Sequence, residues 1–187
     1  MITKETYTIC KHKVEDFINL DRNDYTRRFT FTKEIGWHIP NQKLIDLLVS
    51  HSPMLSVGCG LAVTEKIAQQ NGCDIIMTDL DPTPNNNYCS GDFSNIIQMD
   101  AVDAVKKYSN RNLFMAWPPY DNPMAYNCVK HMKIGKILIY VGEGGGGCTG
   151  DDQFHNFLYT NFEQLDTVDL PRWFGINDYG AIYKKQF

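Results

Sequence analysis

Short apolar runs alternate with amphipathic stretches over most of this chain. MLSVG (54–58) is an apolar run closed by glycine, and TEKIAQQNG after it carries a helical pattern ending at Gly72. DIIMTD (74–79), NIIQMD (95–100), NLFMAW (112–117) and KILIYVG (136–142) repeat the strand pattern. AVDAVKKYSN, MAYNCVKHMK and GDDQFHNFLYTNF read as helices, and Thr149 and Asp152 stand at capping-box spacing at the start of the last. Upstream, IPNQKLIDLLVSH places Leu44, Leu47, Leu48 and His51 at helical spacing and predicts a helix from about Pro40. QLDTVDLP and YGAIYKKQF close the chain as two strands joined by RWFGIND, with no helix between them. This alternation predicts an α/β fold: a seven-stranded, mostly parallel sheet with helices on both faces and an antiparallel C-terminal hairpin.

Two stretches fall outside the pattern. DPTPNNNYCSGD is too rich in proline and asparagine for regular structure and reads as a loop. Near the N-terminus VEDFINL suggests a short helix. RNDYTRRF gathers Arg22, Arg27 and Arg28 and reads as a solvated arm, the alternative being a contact surface for a phosphate-bearing partner. A single domain over 1–187 is expected, with 1–35 as an N-terminal extension or lid and 36–187 as the α/β core.

Composition narrows the class. With 187 residues, 43% hydrophobic and 21% charged, the chain has the balance of one soluble globular domain. No run of about 18 apolar residues is present to span a membrane, and MITKETYTICKHKVEDF lacks an apolar secretory core. Six cysteines without a C-x-x-C pair point to reduced thiols in the cytoplasm or another intracellular compartment, and away from a disulfide framework or structural zinc. The histidines show no ligand spacing, so no metal is implied. A net charge of −4 and a pI near 5.7 offer no general electrostatic grip on nucleic acid.

Candidate chemistry collects at the carboxyl ends of the predicted strands, where open α/β sheets bind ligands. In SVGCGLAVTE, Gly58 and Gly60 allow a tight turn and close backbone approach, the following helix aims its first amides at the same place, and Ala62 is a third small residue. Asp79 closes the next strand about twenty residues on, where an acid takes two ribose hydroxyls. Asp100 closes the third, placed to accept from an adenine amino group. Singly, each acid also reads as a helix N-cap or an exposed loop residue, the preferred reading for Asp81. Gly-x-Gly, Asp and Asp in order at three successive strand ends favour a ligand crevice.

On these residues, and on the order of elements over roughly 40–187, the chain resembles the class I S-adenosylmethionine-dependent methyltransferases, whose fold is Rossmann-like. The resemblance implies S-adenosylmethionine as cofactor. Gly58, Cys59 and Gly60 would abut its methionine part, Asp79 its ribose, and Asp100 with Ala101 its adenine. The family often carries an acid just before the glycines; Ser56 stands there, so the contact to the cofactor's amino group is unassigned.

The fourth strand end reads LFMAWPPYDNPMA, and two prolines there fix two φ angles and remove two amide donors. The Ala116–Tyr120 turn is therefore expected to be stiff, with its carbonyls free. WPPY looks like the D/N/S-P-P-Y/F/W motif of methyltransferases that modify exocyclic amines of bases. By that analogy Pro118 offers a carbonyl to the amine, and Trp117 or Tyr120 stacks on the base. Trp117 departs from the motif, because an indole donates only; Asp121, Asn122 and Glu143 are the candidates for the missing acceptor. A strand-terminating turn plugged by aromatics is the structural reading of the same residues.

At the fifth strand end, YVGEGGGGCTGDDQF holds four consecutive glycines, which fit either close approach by another group or a loop over the site mouth. Glu143 before them is expected to orient substrate or accept a proton. Trp37 is expected to line the pocket, whereas His38 and Trp173 read more simply as packing. The resemblance, with these residues, implies a methyltransferase whose preferred acceptor is adenine N6 in RNA, such as a cap adenosine. RNA is preferred over DNA, the substrate short or presented by a protein partner. The alternatives are a small planar metabolite as acceptor, or a catalytically silent methyltransferase fold that serves as a binding subunit.

Overall fold

A computed structural model describes residues 11–82 and 93–187. The first ten residues and most of the DPTPNNNYCSGD loop lie outside that range. A short 3-10 turn (Val14–Phe17) leads into α1 (Tyr25–Glu34) and α2 (Gln42–Ser50). Alternation follows: β1 (Met54–Val57), α3 (Val63–Gln70), β2 (Ile75–Asp79), β3 (Ile96–Gln98), α4 (Ala101–Lys107), β4 (Asn112–Ala116), α5 (Met124–His131), β5 (Ile137–Gly142) and α6 (Asp152–Asn161). The chain closes with β6 (Phe162–Val168) and β7 (Tyr179–Lys185). Among the described residues no helix is long and apolar enough to cross a membrane.

The seven strands form one sheet in the order β3-β2-β1-β4-β5-β7-β6. The first five are parallel; β7 runs antiparallel between β5 and β6, pairing Ile139 with Ile182 and Thr167 with Ala181. Parallel strands covered on both faces must be apolar on both, and their alternate residues divide between two cores. Met54, Phe114, Ile139 and Val141 face the side covered by α2 and α3. Leu55, Met115, Leu138 and Tyr140 face the side of α4, α5 and α6. The predicted seven-stranded α/β architecture is thus the one observed.

Three expectations change. RNDYTRRF is not an arm: Asp24 accepts from the amides of Thr26 and Arg27 and starts α1, which packs Phe31 edge-on against Phe17 and Trp173. Arg22 and Arg27 are exposed, whereas Arg28 is half-buried. The helix expected from about Pro40 begins two residues later, because the Asn41 side chain accepts from Leu44 N and caps it. At α6 the cap is Asp151, not Thr149; Asp151 accepts from Phe154 N while the Thr149 hydroxyl is taken by Tyr140 and the Glu143 backbone.

Lys185 ties the sheet to α5. Its buried ammonium donates to the carbonyls of Val129, Lys130 and Met132 at 3.0, 2.8 and 2.9 Å, ending the helix on a positive charge. Lys185→Met keeps the aliphatic stem but strands these acceptors. It is expected to lower stability by about 2–4 kcal/mol in urea unfolding.

Candidate functional site

In this strand order the connections run one way from β1 to β2 and the other way to β4, so the sheet opens a crevice beyond the carboxyl ends of β1 and β4. A cavity of about 450 Å³ lies there, lined by the turn after β1, the ends of β2 and β4, the start of α4 and the chain between α1 and α2. Its size is that of a small-molecule site, roughly 300–1,000 Å³. Of the residues singled out from sequence, Trp37, His38, Gly58, Cys59, Gly60, Asp79, Asp100, Ala101, Trp117 and Asn122 line it. Pro118, Tyr120, Asp121 and Glu143 do not.

The turn after β1 is shaped by backbone. Gly58 and Gly60 take φ of 60° and 54°, a region side chains rarely enter, and a Cβ at Gly58 would meet Met124 at 3.4 Å. Gly60 N donates to Asp79 Oδ2 at 2.8 Å, and Asp81 N to Asp79 Oδ1 at 3.0 Å. Both oxygens of Asp79 are thereby oriented, and each keeps a lone pair for a ligand. Asp100 is the N-cap of α4, with Oδ1 accepting from Val102 N and Asp103 N. Cys59 lines the wall as a thiol: burial, with Glu65 and Asp79 close by, pushes its pKa up, so it is no nucleophile at neutral pH.

Behind the glycines lies a polar cluster that sequence reading missed. Glu65, in the first turn of α3, is buried, and its Oε1 accepts from Ser56 Oγ at 2.6 Å. Beside it, His38 Nε2 bonds Thr64 Oγ1 at 2.8 Å. Burial pushes the Glu65 carboxyl up to about 7 and the His38 imidazole down to about 4, so His38 is neutral at physiological pH. Ser56 and Glu65 are nine residues apart, and the reversal of the chain through Gly58 and Gly60 brings them together.

At the end of β4, Trp117 has φ of 49°, an outlier for a bulky side chain and a sign that its surroundings hold it in place. Its indole N–H donates to Asp178 Oδ2 at 3.0 Å, and its ring stacks on Trp37 with centroids 5.6 Å apart and planes 20° off parallel. Arg28 sits 5.9 Å from the Trp37 ring, its Nε buried without a hydrogen-bond partner among the described residues. Asp178, from the loop between β6 and β7, was not foreseen. Burial raises its carboxyl despite the indole bond, and its Oδ1 has no partner among the described residues.

The double proline places its neighbours differently from expectation. The Pro118 carbonyl is not free: Gly150 N donates to it at 3.1 Å, because the loop after β5 folds against the turn. Tyr120 is 69% exposed and, with Asp121, borders a separate pocket of about 80 Å³. The aromatic pair at the cavity is therefore Trp37 with Trp117. Among the three candidates for the missing acceptor, Asn122 alone lines the cavity. Glu143 is buried, its Oε2 accepting from Cys148 N at 2.8 Å and its Oε1 from Asn177 N at 2.9 Å. The glycine run wraps this side chain: a Cβ at Gly147 would lie 2.5 Å from Glu143 Cβ.

No protein-family model matches the sequence, and no curated protein is similar to it. Solved structures are similar in fold. Magnesium protoporphyrin IX methyltransferase (ChlM) from Synechocystis PCC 6803, with bound S-adenosylmethionine, shares 12% identity over 77% of either chain at a TM-score of 0.51. N-methyltransferase NodS from Bradyrhizobium japonicum WM9, in complex with S-adenosyl-L-homocysteine, shares 17% over 92% of this chain and 96% of its own, TM-score 0.46. TehB from Haemophilus influenzae shares 13% over 86% of this chain and 67% of its own, TM-score 0.48. At such identities the likeness to the first is one of architecture: this chain is built on the Rossmann-like fold of the class I S-adenosylmethionine-dependent methyltransferases.

Proposed function

We propose that the chain binds S-adenosylmethionine in this cavity and transfers its methyl group to an exocyclic amine of a nucleic-acid base, with adenine N6 in RNA, as at a cap, the preferred acceptor. The observation that carries the reading is the convergence of Gly58, Gly60, Asp79, Asp100 and Trp117 on one cavity from four successive strand ends. Asp79 keeps lone pairs for a ribose diol, and the glycine turn admits close backbone approach. Asp100 and Ala101 border the place for the adenine. The cofactor supplies a methyl group on an excellent leaving group, so the chain's own task is alignment and exclusion of water. Trp117 and Trp37 present flat apolar surface for a planar acceptor, and the Asn122 side-chain oxygen, which already accepts from Met124 N at 2.9 Å, has its second lone pair to offer the amine. Trp117 and Asn122 would hold the acceptor nitrogen in line with the methyl that the cofactor would supply; the carbon–sulfur pair would stay on sulfur, and the amine's proton would leave to water once the product is released.

Two observations favour other readings. The net charge of −4 suits a small planar metabolite better than a long nucleic acid, and leaves to the proposed reading a short RNA or one presented by a partner. Trp117, with its N–H held by Asp178 and one face covered by Trp37, suits a silent fold that only binds. Calorimetric titration with S-adenosylmethionine and S-adenosylhomocysteine, followed by labelled methyl transfer to RNA, DNA and metabolite pools, separates the three. The proposal expects saturable binding and label in RNA; binding with label only in metabolites, or none, replaces it with an alternative.

Trp117→Ala is expected to raise the KM for the acceptor about 5- to 150-fold, the range of one lost stacking contact. Trp117→Phe keeps a ring but not the bond to Asp178 and is expected to retain most of that affinity. Equal effects of the two would place the role in the indole N–H instead.

A further inference from the structure

We infer that Glu65 receives the positively charged amino group of the cofactor's amino-acid end, supplying from α3 the carboxylate that β1 lacks at Ser56. The inference rests on the proposed reading of the cavity as an adenosyl-sulfonium site. Ser56 is buried and its hydroxyl donates to Glu65 Oε1 at 2.6 Å, so the carboxylate of α3 sits directly beyond the short β1 side chain. Glu65 is only 4% exposed, yet it lines the cavity beside the glycine turn. A carboxylate so enclosed is costly unless an opposite charge reaches it. Within the chain it is favoured by the Ser56 hydroxyl, its own backbone amide and the charge of Lys66, and opposed by burial and by Asp79. Cys59, whose thiol stays protonated, and neutral His38, reached through Thr64, bring no charge of their own. An ammonium entering from the cavity side supplies what is missing.

The arrangement has a thermodynamic signature that a merely structural acid does not share. Burial holds the free Glu65 carboxyl at about 7, so near pH 6.5 it is mostly protonated. A cation bound against it favours the ionised form, lowers its pKa and expels the proton. The ligand's amino group remains charged at that pH. Binding of S-adenosylmethionine is therefore coupled to release of most of one proton, and affinity rises with pH between 6 and 7. 5′-Methylthioadenosine shares the adenosine and sulfur but has no amino-acid end, and its binding releases none.

The test is calorimetry at pH 6.5 in buffers of different ionisation enthalpy, with S-adenosylmethionine, S-adenosylhomocysteine and 5′-methylthioadenosine. Glu65→Gln is expected to weaken the first two about 10- to 100-fold, to leave the third within about twofold, and to abolish proton release. Ser56→Ala, which removes the hydroxyl that orients Glu65 but keeps the acid, is expected to weaken only the amino-bearing ligands, about threefold. It carries the test should Glu65→Gln not fold. Equal loss for all three ligands, or no loss for any, overturns the inference and leaves Glu65 as a support of the α3 N-terminus. Failure of wild-type protein to bind any of the three overturns the adenosyl reading itself and this inference with it.

Discussion

Glu143→Ala is expected to lower the stability of the fold by about 3–5 kcal/mol at neutral pH, read as a displaced urea midpoint and a fall of about 10 °C in Tm. The size follows from what the carboxylate holds. Its two oxygens accept from two amides on different segments, Cys148 at the end of the glycine run and Asn177 in the loop before β7. Its backbone also joins the ring closed by Tyr140 and Thr149, whose hydroxyls bond the Glu143 carbonyl. Truncation strands both amides and opens a void under a glycine packed too closely to fill it. Glutamine is no rescue: it offers one oxygen and one NH2, so one amide would face a second donor.

The acid limb of stability carries the same signature. Burial by itself would raise the Glu143 carboxyl, but the amides of Asn177 and Cys148 and the charge of Arg28 outweigh it and hold it below its ordinary 4.5. Because the folded value is the lower one, the contribution is complete above about pH 4.5 and is lost as pH falls through the folded value. The gap between wild type and Glu143→Ala is thus expected to narrow in strong acid without closing, because the void remains; a constant gap down to pH 2 would refute the charged contribution. Asn177 precedes Asp178, which holds Trp117, so Glu143 also bears on the site at one remove, as a positioning residue.

The elements that position the site were legible because the inner parallel strands, covered on both faces, are apolar nearly throughout and end at Gly58, Asp79 and Trp117, while the exposed edge strand β3 shows itself only by its isoleucine pair shortly before Asp100. α1 was not, since of YTRRFTFTKE only Phe31 is buried and no apolar stripe marks its face. The one local signal was Asp24, a cap before a run without hydrophobic period. Thr149, Asp151 and Asp152 are all competent caps for α6; the choice fell to Asp151 because tertiary contacts with Tyr140 take the threonine hydroxyl. Long-range partners were invisible for the same reason. Nothing local to WPPY announces Asp178, 61 residues away, and Glu65 looks like any acid in a first helical turn until β1 and α3 are packed. The absence of an acid at Ser56 was readable; its replacement was a matter of three dimensions.

Asp79→Ala is expected to weaken S-adenosylmethionine, S-adenosylhomocysteine and 5′-methylthioadenosine alike, by about 100-fold. Two hydroxyls of a ribose donating to one carboxylate make two charge-assisted bonds of about 1.5–3 kcal/mol each, trimmed because Asp79 is only half-buried. About 3 kcal/mol remains, which is the stated factor. Truncation also removes the acceptor that fixes Gly60 N, so the glycine turn loses the bond that orients it before any ligand arrives. Asp79→Asn separates the two effects: it can keep one acceptor for Gly60 N or for the diol, but not the charge, and is expected to fall between wild type and alanine. The pattern across ligands matters more than its depth. A diol contact is common to all three ligands, whereas the Glu65 contact discriminates against the one without an amino group. If Asp79→Ala left 5′-methylthioadenosine binding intact in a folded protein, the ribose would lie elsewhere and the cavity would have to be read in another orientation.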